Sequence, residues 1–104
     1  MRPELELISD WIRPGARVLD LGCGDGALLA YLHERRRVNG YGLEIDADNI
    51  VKCIQAGVNV IHADLEAGLE DFGDGSFDYV LMTQTLQTVR HTERLLDEML
   101  RVGR

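Results

Sequence analysis

The hydrophobic and polar residues follow two alternating patterns along the chain. Apolar residues at helical spacing predict helices at residues 3–12, about 27–34, about 48–56 and 92–102. Short apolar runs between them predict buried strands at residues 17–21, 41–45, 59–62 and 77–84. Because strands and helices alternate throughout, we expect parallel strands joined by right-handed crossovers, with helices on both faces of the sheet. The pattern therefore predicts a doubly wound α/β fold.

Length and composition limit the chain to one modest domain. It has 104 residues, 45% of them hydrophobic, and it contains no repeat, linker or low-complexity segment, so residues 1–104 are expected to fold as a single unit. A net charge of −7 argues against a nucleic-acid partner. No run approaches a membrane span and the N-terminus does not read as a signal peptide, so we expect a cytoplasmic protein without membrane partners.

The residues that commonly bind metals are scattered. Cys23 and Cys53 lie far apart with no CxxC motif, and the three histidines have no ligand spacing, so neither a disulfide framework nor a metal site is predicted. The cluster at residues 35–37 is basic and follows a predicted helix, whose negative end it complements.

The segment VLDLGCGDGALLAYL, at residues 18–32, contains three closely spaced glycines. Gly22, Gly24 and Gly26 follow the first predicted strand, and doubly wound sheets bind ligands at the carboxyl ends of their strands. Glycines in such a turn let backbone N–H groups approach a ligand at the start of a helix. The pattern alone fits a dinucleotide as well, because GCGDGA satisfies the G-x-G-x-x-G/A form.

Three acidic residues lie at the ends of three successive strands. Asp20, beside the glycine turn, repels a pyrophosphate but suits an ammonium or sulfonium group, and S-adenosylmethionine carries both. Glu44 can accept hydrogen bonds from ribose hydroxyls, as in NAD sites, and Asp64 from an exocyclic amine such as that of adenine. The alternatives are that Asp20 caps the turn, that Glu44 is a solvated strand end and that Asp64 is an N-cap. Asp46 and Asp48 are expected to cap and charge the next helix.

The segments VLDLGCGDG, GYGLEID, HADLEAGL and SFDYVLMTQTLQ resemble the successive motifs of class I S-adenosylmethionine-dependent methyltransferases. More narrowly, the segments LDLGCGDGALLAYL, YGLEID, GVNVIHADLEAGL, MTQTLQ and LDEMLRVGR resemble the MetW family of methionine biosynthesis proteins. The resemblance runs from about Asp10 to Arg104 and implies a Rossmann-like sheet of order 3-2-1-4. It also implies a cofactor site for S-adenosylmethionine. In that site Asp20, Gly22 and Gly24 line the methionine end, Glu44 the ribose, Ile45 the adenine face, and Asp64 with Leu65 the adenine edge.

The same resemblance leaves the reaction open. Cys23 and Gly26 complete the expected cofactor-binding turn, Cys23 as a small buried filler rather than a nucleophile. Gln84 and Thr85 would lie near the transferable methyl, where with Gln87 they either bind a small polar acceptor or finish a strand and cap a helix. The class has more strands than the four predicted here, so we expect this chain to be the N-terminal part of such a fold. Catalytic residues are not identified.

Three functions are consistent with these features. The first is a small-molecule methyltransferase. The second is an accessory protein that binds S-adenosylmethionine and acts with homoserine O-acetyltransferase, the enzyme with which the MetW family is associated. The third is an NAD-binding oxidoreductase domain, which Asp20 and Asp64 disfavour.

The fourth strand carries a further expectation. In the order 3-2-1-4 it lies at the edge of the sheet, and its apolar residues 79–82 include no Lys or Pro that would block pairing. We therefore expect a homodimer formed through this strand or through the helix that follows it.

Overall fold

The structure is a computed structural model that describes residues 3–64, 69–70, 72–82 and 92–103. Helices and strands alternate along these residues, as the hydrophobic pattern predicts. The helices are α1 (Pro3–Trp11), α2 (Ala27–Arg36), α3 (Ala47–Gln55) and α4 (Thr92–Val102). The strands are β1 (Arg17–Leu21), β2 (Asn39–Glu44), β3 (Asn59–His62) and β4 (Tyr79–Leu81).

The four strands form one parallel sheet in the order β3-β2-β1-β4, which confirms the predicted topology. In its register Asp20 lies between Gly42 of β2 and Leu81 of β4. Successive strands are added on one side of β1 up to β3 and then on its other side with β4. The loop after β1 therefore leaves the sheet at this switch point, which is the usual ligand-binding edge of a doubly wound fold.

Two buried clusters cover the faces of the sheet. One face packs Val18 and the inward leucines of α2, with both cysteines in the same cluster. The other packs Leu19, Leu21 and Leu43 against Leu95 of α4. Alternate residues of β1 thus contribute to opposite cores, as expected of a strand that is covered on both faces.

The fourth strand was predicted at 77–84; it begins at Tyr79, two residues later than predicted, and is described to Leu81. Phe77 bridges to Gly103 instead of β1, and the N–H of Gly75 donates to the carbonyl of Arg101. The described ladder with β1 runs over Tyr79–Leu81, and the N–H of Asp78 donates to the carbonyl of Arg17 just before it. Gly103, directly after α4, thus lies beside Phe77, two residues before β4 begins. Gln84 lies outside the described residues.

Helix α2 is longer than predicted and carries the basic cluster at its end. Arg37 closes it with a left-handed φ of 56°, and its N–H donates to the carbonyl of His33. Arg36 pairs with Asp10 of α1 at 3.3 Å, while Arg35 lies over the ring of Tyr31. Arg36, which also donates to Ser9 Oγ at 3.4 Å, joins α2 to α1, whereas the contact of Arg35 lies within α2. Within the described part of the chain, no helix is long and apolar enough to cross a membrane.

Candidate functional site

The glycine turn after β1 is held against the end of β2. Gly22, Gly24 and Gly26 all have positive φ, between 60° and 84°, a backbone conformation that residues with a side chain rarely adopt. The N–H groups of Gly22 and Cys23 donate to the carbonyl of Leu43, at 2.8 and 3.1 Å. The turn is therefore fixed by backbone hydrogen bonds before any ligand arrives.

Further bonds show how other N–H groups of the turn are used in the protein. The N–H of Gly24 donates to Glu44 Oε1 at 2.8 Å, and that of Gly26 to the carbonyl of Cys23. At the start of α2, Asp25 Oδ1 accepts from the N–H of Ala27 at 3.0 Å. Several donors of the turn thus have partners in the protein, and the carboxylate of Asp25 occupies the helix end where a phosphate would bind.

Asp20 is the most unusual group at this edge. Its side chain is 1% exposed, and its Oδ1 has no hydrogen-bond partner among the described residues. Burial, and secondarily the nearby charge of Glu44, raises the pKa of Asp20 from 3.8 to about 7. The prediction that Asp20 caps the turn does not account for this orphaned oxygen, because a capping oxygen accepts an N–H. A ligand that donates to Oδ1, above all a cation, would stabilise the ionised form.

Glu44 is buried, so the alternative of a solvated strand end is wrong. Its Oε1 accepts from Gly24, and its Oε2 accepts from the N–H of Asp46 at 3.0 Å. Asp46 in turn caps α3 by accepting from Asp48 and Asn49, as predicted for it. Each carboxylate oxygen of Glu44 retains a second lone pair, so the residue can fix the turn and also accept a ligand hydroxyl.

The remaining predicted residues lie around this centre. Ile45 follows Glu44 directly and is 58% exposed, an apolar surface next to a carboxylate. Asp64 is exposed beyond the end of β3. Leu65 lies outside the described residues, as does Gln84. The structure thus brings Asp20, the glycine turn and Glu44 together, with Ile45 beside them.

The sequence interpretation missed one contact. Cys23 and Cys53 are separated by 30 positions, yet their Sγ atoms lie 3.7 Å apart. Both are free thiols, and burial raises the pKa of each. The interpretation of Cys23 as a small filler agrees with its buried position.

In the described residues no group of three or more metal-ligating side chains converges.

The sheet order and the glycine turn define the class of protein: the chain has the fold of class I S-adenosylmethionine-dependent methyltransferases. A TehB-like S-adenosylmethionine-dependent methyltransferase from Corynebacterium glutamicum superposes with a TM-score of 0.81 at 24% identity, covering 96% of this chain and 55% of that one. The [4+2]-cyclase SpnF superposes with a TM-score of 0.84 at 21% identity, covering 97% and 40%. These likenesses establish the fold, and the cyclase indicates that the fold alone does not fix the reaction.

The family follows from the sequence comparisons. The sequence model of the family described as "Methionine biosynthesis protein MetW" matches residues 2–104. The bifunctional methionine biosynthesis protein MetXA/MetW of Rhodopirellula baltica is 44% identical over 107 residues, which cover 95% of this chain and 17% of that protein. The chain belongs to the MetW family of methionine biosynthesis proteins. It spans under a fifth of that curated relative and about half of the two solved structures.

Proposed function

We propose that the protein binds S-adenosylmethionine at the carboxyl edge of its sheet. Asp20 would accept a hydrogen bond from the ammonium group at the methionine end, Glu44 would accept from the ribose hydroxyls, and Ile45 would contact the adenine ring. When bound, S-adenosylmethionine supplies an activated methyl group on its sulfonium sulfur. Asp64 and Leu65 are proposed for the adenine edge, and Gln84 for the region of the methyl group.

The observation that carries this proposal is the orphaned Oδ1 of Asp20. A buried polar atom without a partner costs free energy, so native proteins nearly always satisfy such atoms. A ligand ammonium satisfies it with a charge-assisted hydrogen bond and at the same time neutralises the charge that burial disfavours. The adjacent Glu44 adds a second negative charge that attracts a cation.

The geometry disfavours the NAD alternative. A dinucleotide site binds its pyrophosphate with free backbone N–H groups at the turn and the helix end. Here the N–H groups of Gly22, Gly24 and Ala27 have acceptors within the protein, the last of them the carboxylate of Asp25. A pyrophosphate would meet the charges of Asp20 and Asp25, and would have to compete with the acceptors of these three N–H groups.

Calorimetric titration of the protein with S-adenosylmethionine and, in parallel, with NAD tests the proposal. We expect saturable binding of the first ligand and none of the second at equal concentrations. Binding of NAD alone, or of neither ligand by folded protein, would contradict the proposal.

We further propose that the protein acts as an accessory to homoserine O-acetyltransferase. The support is the relative from Rhodopirellula baltica, whose name places MetXA and MetW in one polypeptide. Binding a downstream product of the pathway would let this partner sense the supply of methionine. The test is a titration with the acetyltransferase, with and without S-adenosylmethionine. An affinity that the ligand changes supports the accessory role, whereas methyl transfer to a small acceptor without any interaction supports an independent methyltransferase.

We also propose self-association through β4 or α4. The described sheet has β4 at its edge, and beside this strand lies an apolar groove of about 390 Å³ lined by residues of α1 and β4. Its Trp11 is 81% exposed. The bridge between Phe77 and Gly103 precedes β4, so among the described residues the edge proposed for pairing is Tyr79–Leu81.

A further inference from the structure

The two thiols of the chain lie next to each other at the glycine turn of the proposed cofactor site. Cys23 lies inside the glycine turn, and Cys53 lies on the inward face of α3 with none of its surface exposed. Their Sγ atoms are 3.7 Å apart, and Cys53 Sγ donates to the carbonyl of Gly24 at 3.2 Å. The chain has only these two cysteines. Any bond between them therefore links α3 directly to the turn.

Packing confines Cys23 to this position. A Cβ on Gly42 of β2 would lie 2.3 Å from Cys23 Sγ, so the absence of a side chain there is what admits the thiol. With β2 on one side and Cys53 on the other, the two sulfurs remain neighbours. A disulfide has an S–S distance of about 2.05 Å, so each sulfur would move by about 0.8 Å to form one.

We propose that Cys23 and Cys53 are an oxidative modification site, forming a disulfide that lowers the affinity of the cofactor site. With hydrogen peroxide as oxidant, the more accessible sulfur, that of Cys23, attacks one peroxide oxygen and releases water, which leaves a sulfenic acid. The thiol of Cys53 then displaces the second water as the S–S bond forms. Two thiols and one peroxide yield one disulfide and two waters.

The effect on the site, which rests on the proposed function, follows from Gly24. Its carbonyl accepts from the thiol of Cys53, and its N–H donates to Glu44. The disulfide removes the S–H donor and draws Cys23 towards α3, so the peptide between Cys23 and Gly24 shifts. Glu44 and the turn would then no longer have the arrangement proposed for ligand binding.

Burial of the thiols sets the rate of this reaction. The thiolate is the nucleophile, and burial raises the pKa of both cysteines, so the reaction is slow at neutral pH and accelerates as pH rises. We expect the reduced protein treated with hydrogen peroxide to lose two hydrogen atoms by mass, faster at pH 9 than at pH 7. A non-reducing digest should contain one peptide pair linking Cys23 to Cys53. Protein that keeps both thiols free at both pH values, or that links only between chains, would overturn the proposal.

Titration with S-adenosylmethionine tests the effect on the site. We expect at least a fivefold loss of affinity after oxidation and full recovery with dithiothreitol. The matched control is Cys53→Ala, which keeps Cys23 in the turn but cannot form the disulfide, and it should lose less affinity than the parent chain after the same peroxide treatment. A disulfide with unchanged affinity, or an equal loss in the control, would refute the regulatory role. If the reduced protein does not bind S-adenosylmethionine, the proposed function fails. The peptide map then still shows whether the disulfide forms.

Discussion

At the residue scale, Asp20 gives the ligand-free protein a specific pH dependence. The folded pKa of about 7 lies above the ordinary 3.8, so the folded state holds a proton between these values that the unfolded state has released. Stability therefore falls as pH rises from about 4 to 7, by on the order of 4 kcal/mol. Asp20→Asn removes this penalty. We expect it to raise the free energy of unfolding at pH 8 but not at pH 4, as measured by urea denaturation. An equal effect at both pH values would contradict a buried titrating carboxyl.

Glu44 serves both the turn and the proposed ligand. Glu44→Gln places an amide NH₂ against either Gly24 or Asp46, both of which present an N–H donor. Losing one charge-assisted bond costs about 1.5 to 3 kcal/mol, so we expect a lower midpoint of unfolding and weaker binding of S-adenosylmethionine, by about tenfold or more. Thermal melts and calorimetry measure the two effects separately. Lower stability with unchanged affinity would limit Glu44 to a structural role.

What the sequence predicts at this scale is the identity of the acidic residues, because their order along the chain fixes which strand ends they occupy. It does not predict how their atoms are used. No pattern indicates that Glu44 accepts from Gly24, or that Cys23 meets Cys53, since these contacts depend on how α3 packs over the turn. Helical periodicity does not single out Cys53 either, because the apolar positions of α3 include Val51 and Ile54, which are exposed, whereas Cys53 is buried.

At the scale of elements, the close approach of β2 to the glycine turn gives the sharpest test. Gly42→Ala would place a Cβ 2.3 Å from Cys23 Sγ and 2.8 Å from its Cβ. Overpacking of this kind typically costs about 1 to 3 kcal/mol. We expect such a loss in urea denaturation, together with weaker binding at the displaced turn. The control is Gly73→Ala, whose Cβ would meet only Ser76 Oγ at 3.4 Å. Equal stability of the two variants would contradict the packing described.

The elements themselves were largely predictable because burial on both sheet faces leaves long apolar runs. The strands at residues 17–21 and 59–62 have the predicted bounds. The fourth strand was predicted to begin two residues too early because the segment taken as strand includes Phe77, whose described bridge partner is Gly103. A glycine pattern also does not indicate that the carbonyl of Leu43 accepts from two backbone N–H groups of the turn.

At the scale of the whole molecule, self-association depends on which apolar surface the partner covers. If the groove beside β4 is the interface, Trp11→Lys should shift the species seen by sedimentation towards monomer. If α4 is the interface, Leu100→Lys, at a side chain 80% exposed, should do so instead. Ile54→Lys on α3, beside the opposite edge of the sheet, is the control. A concentration-independent monomer for the parent chain would contradict self-association through either surface.

The central claim is that the orphaned oxygen of Asp20 receives the ammonium group of the ligand. The most direct measurement is calorimetry at pH 8 on the parent and Asp20→Asn with three ligands. S-Adenosylmethionine and S-adenosylhomocysteine both carry the ammonium, whereas methylthioadenosine lacks it, and only the first has a sulfonium. We expect the substitution to weaken the first two by about tenfold to over a hundredfold and methylthioadenosine by less than twofold. Equal losses for all three ligands, or a loss confined to S-adenosylmethionine, would contradict the claim.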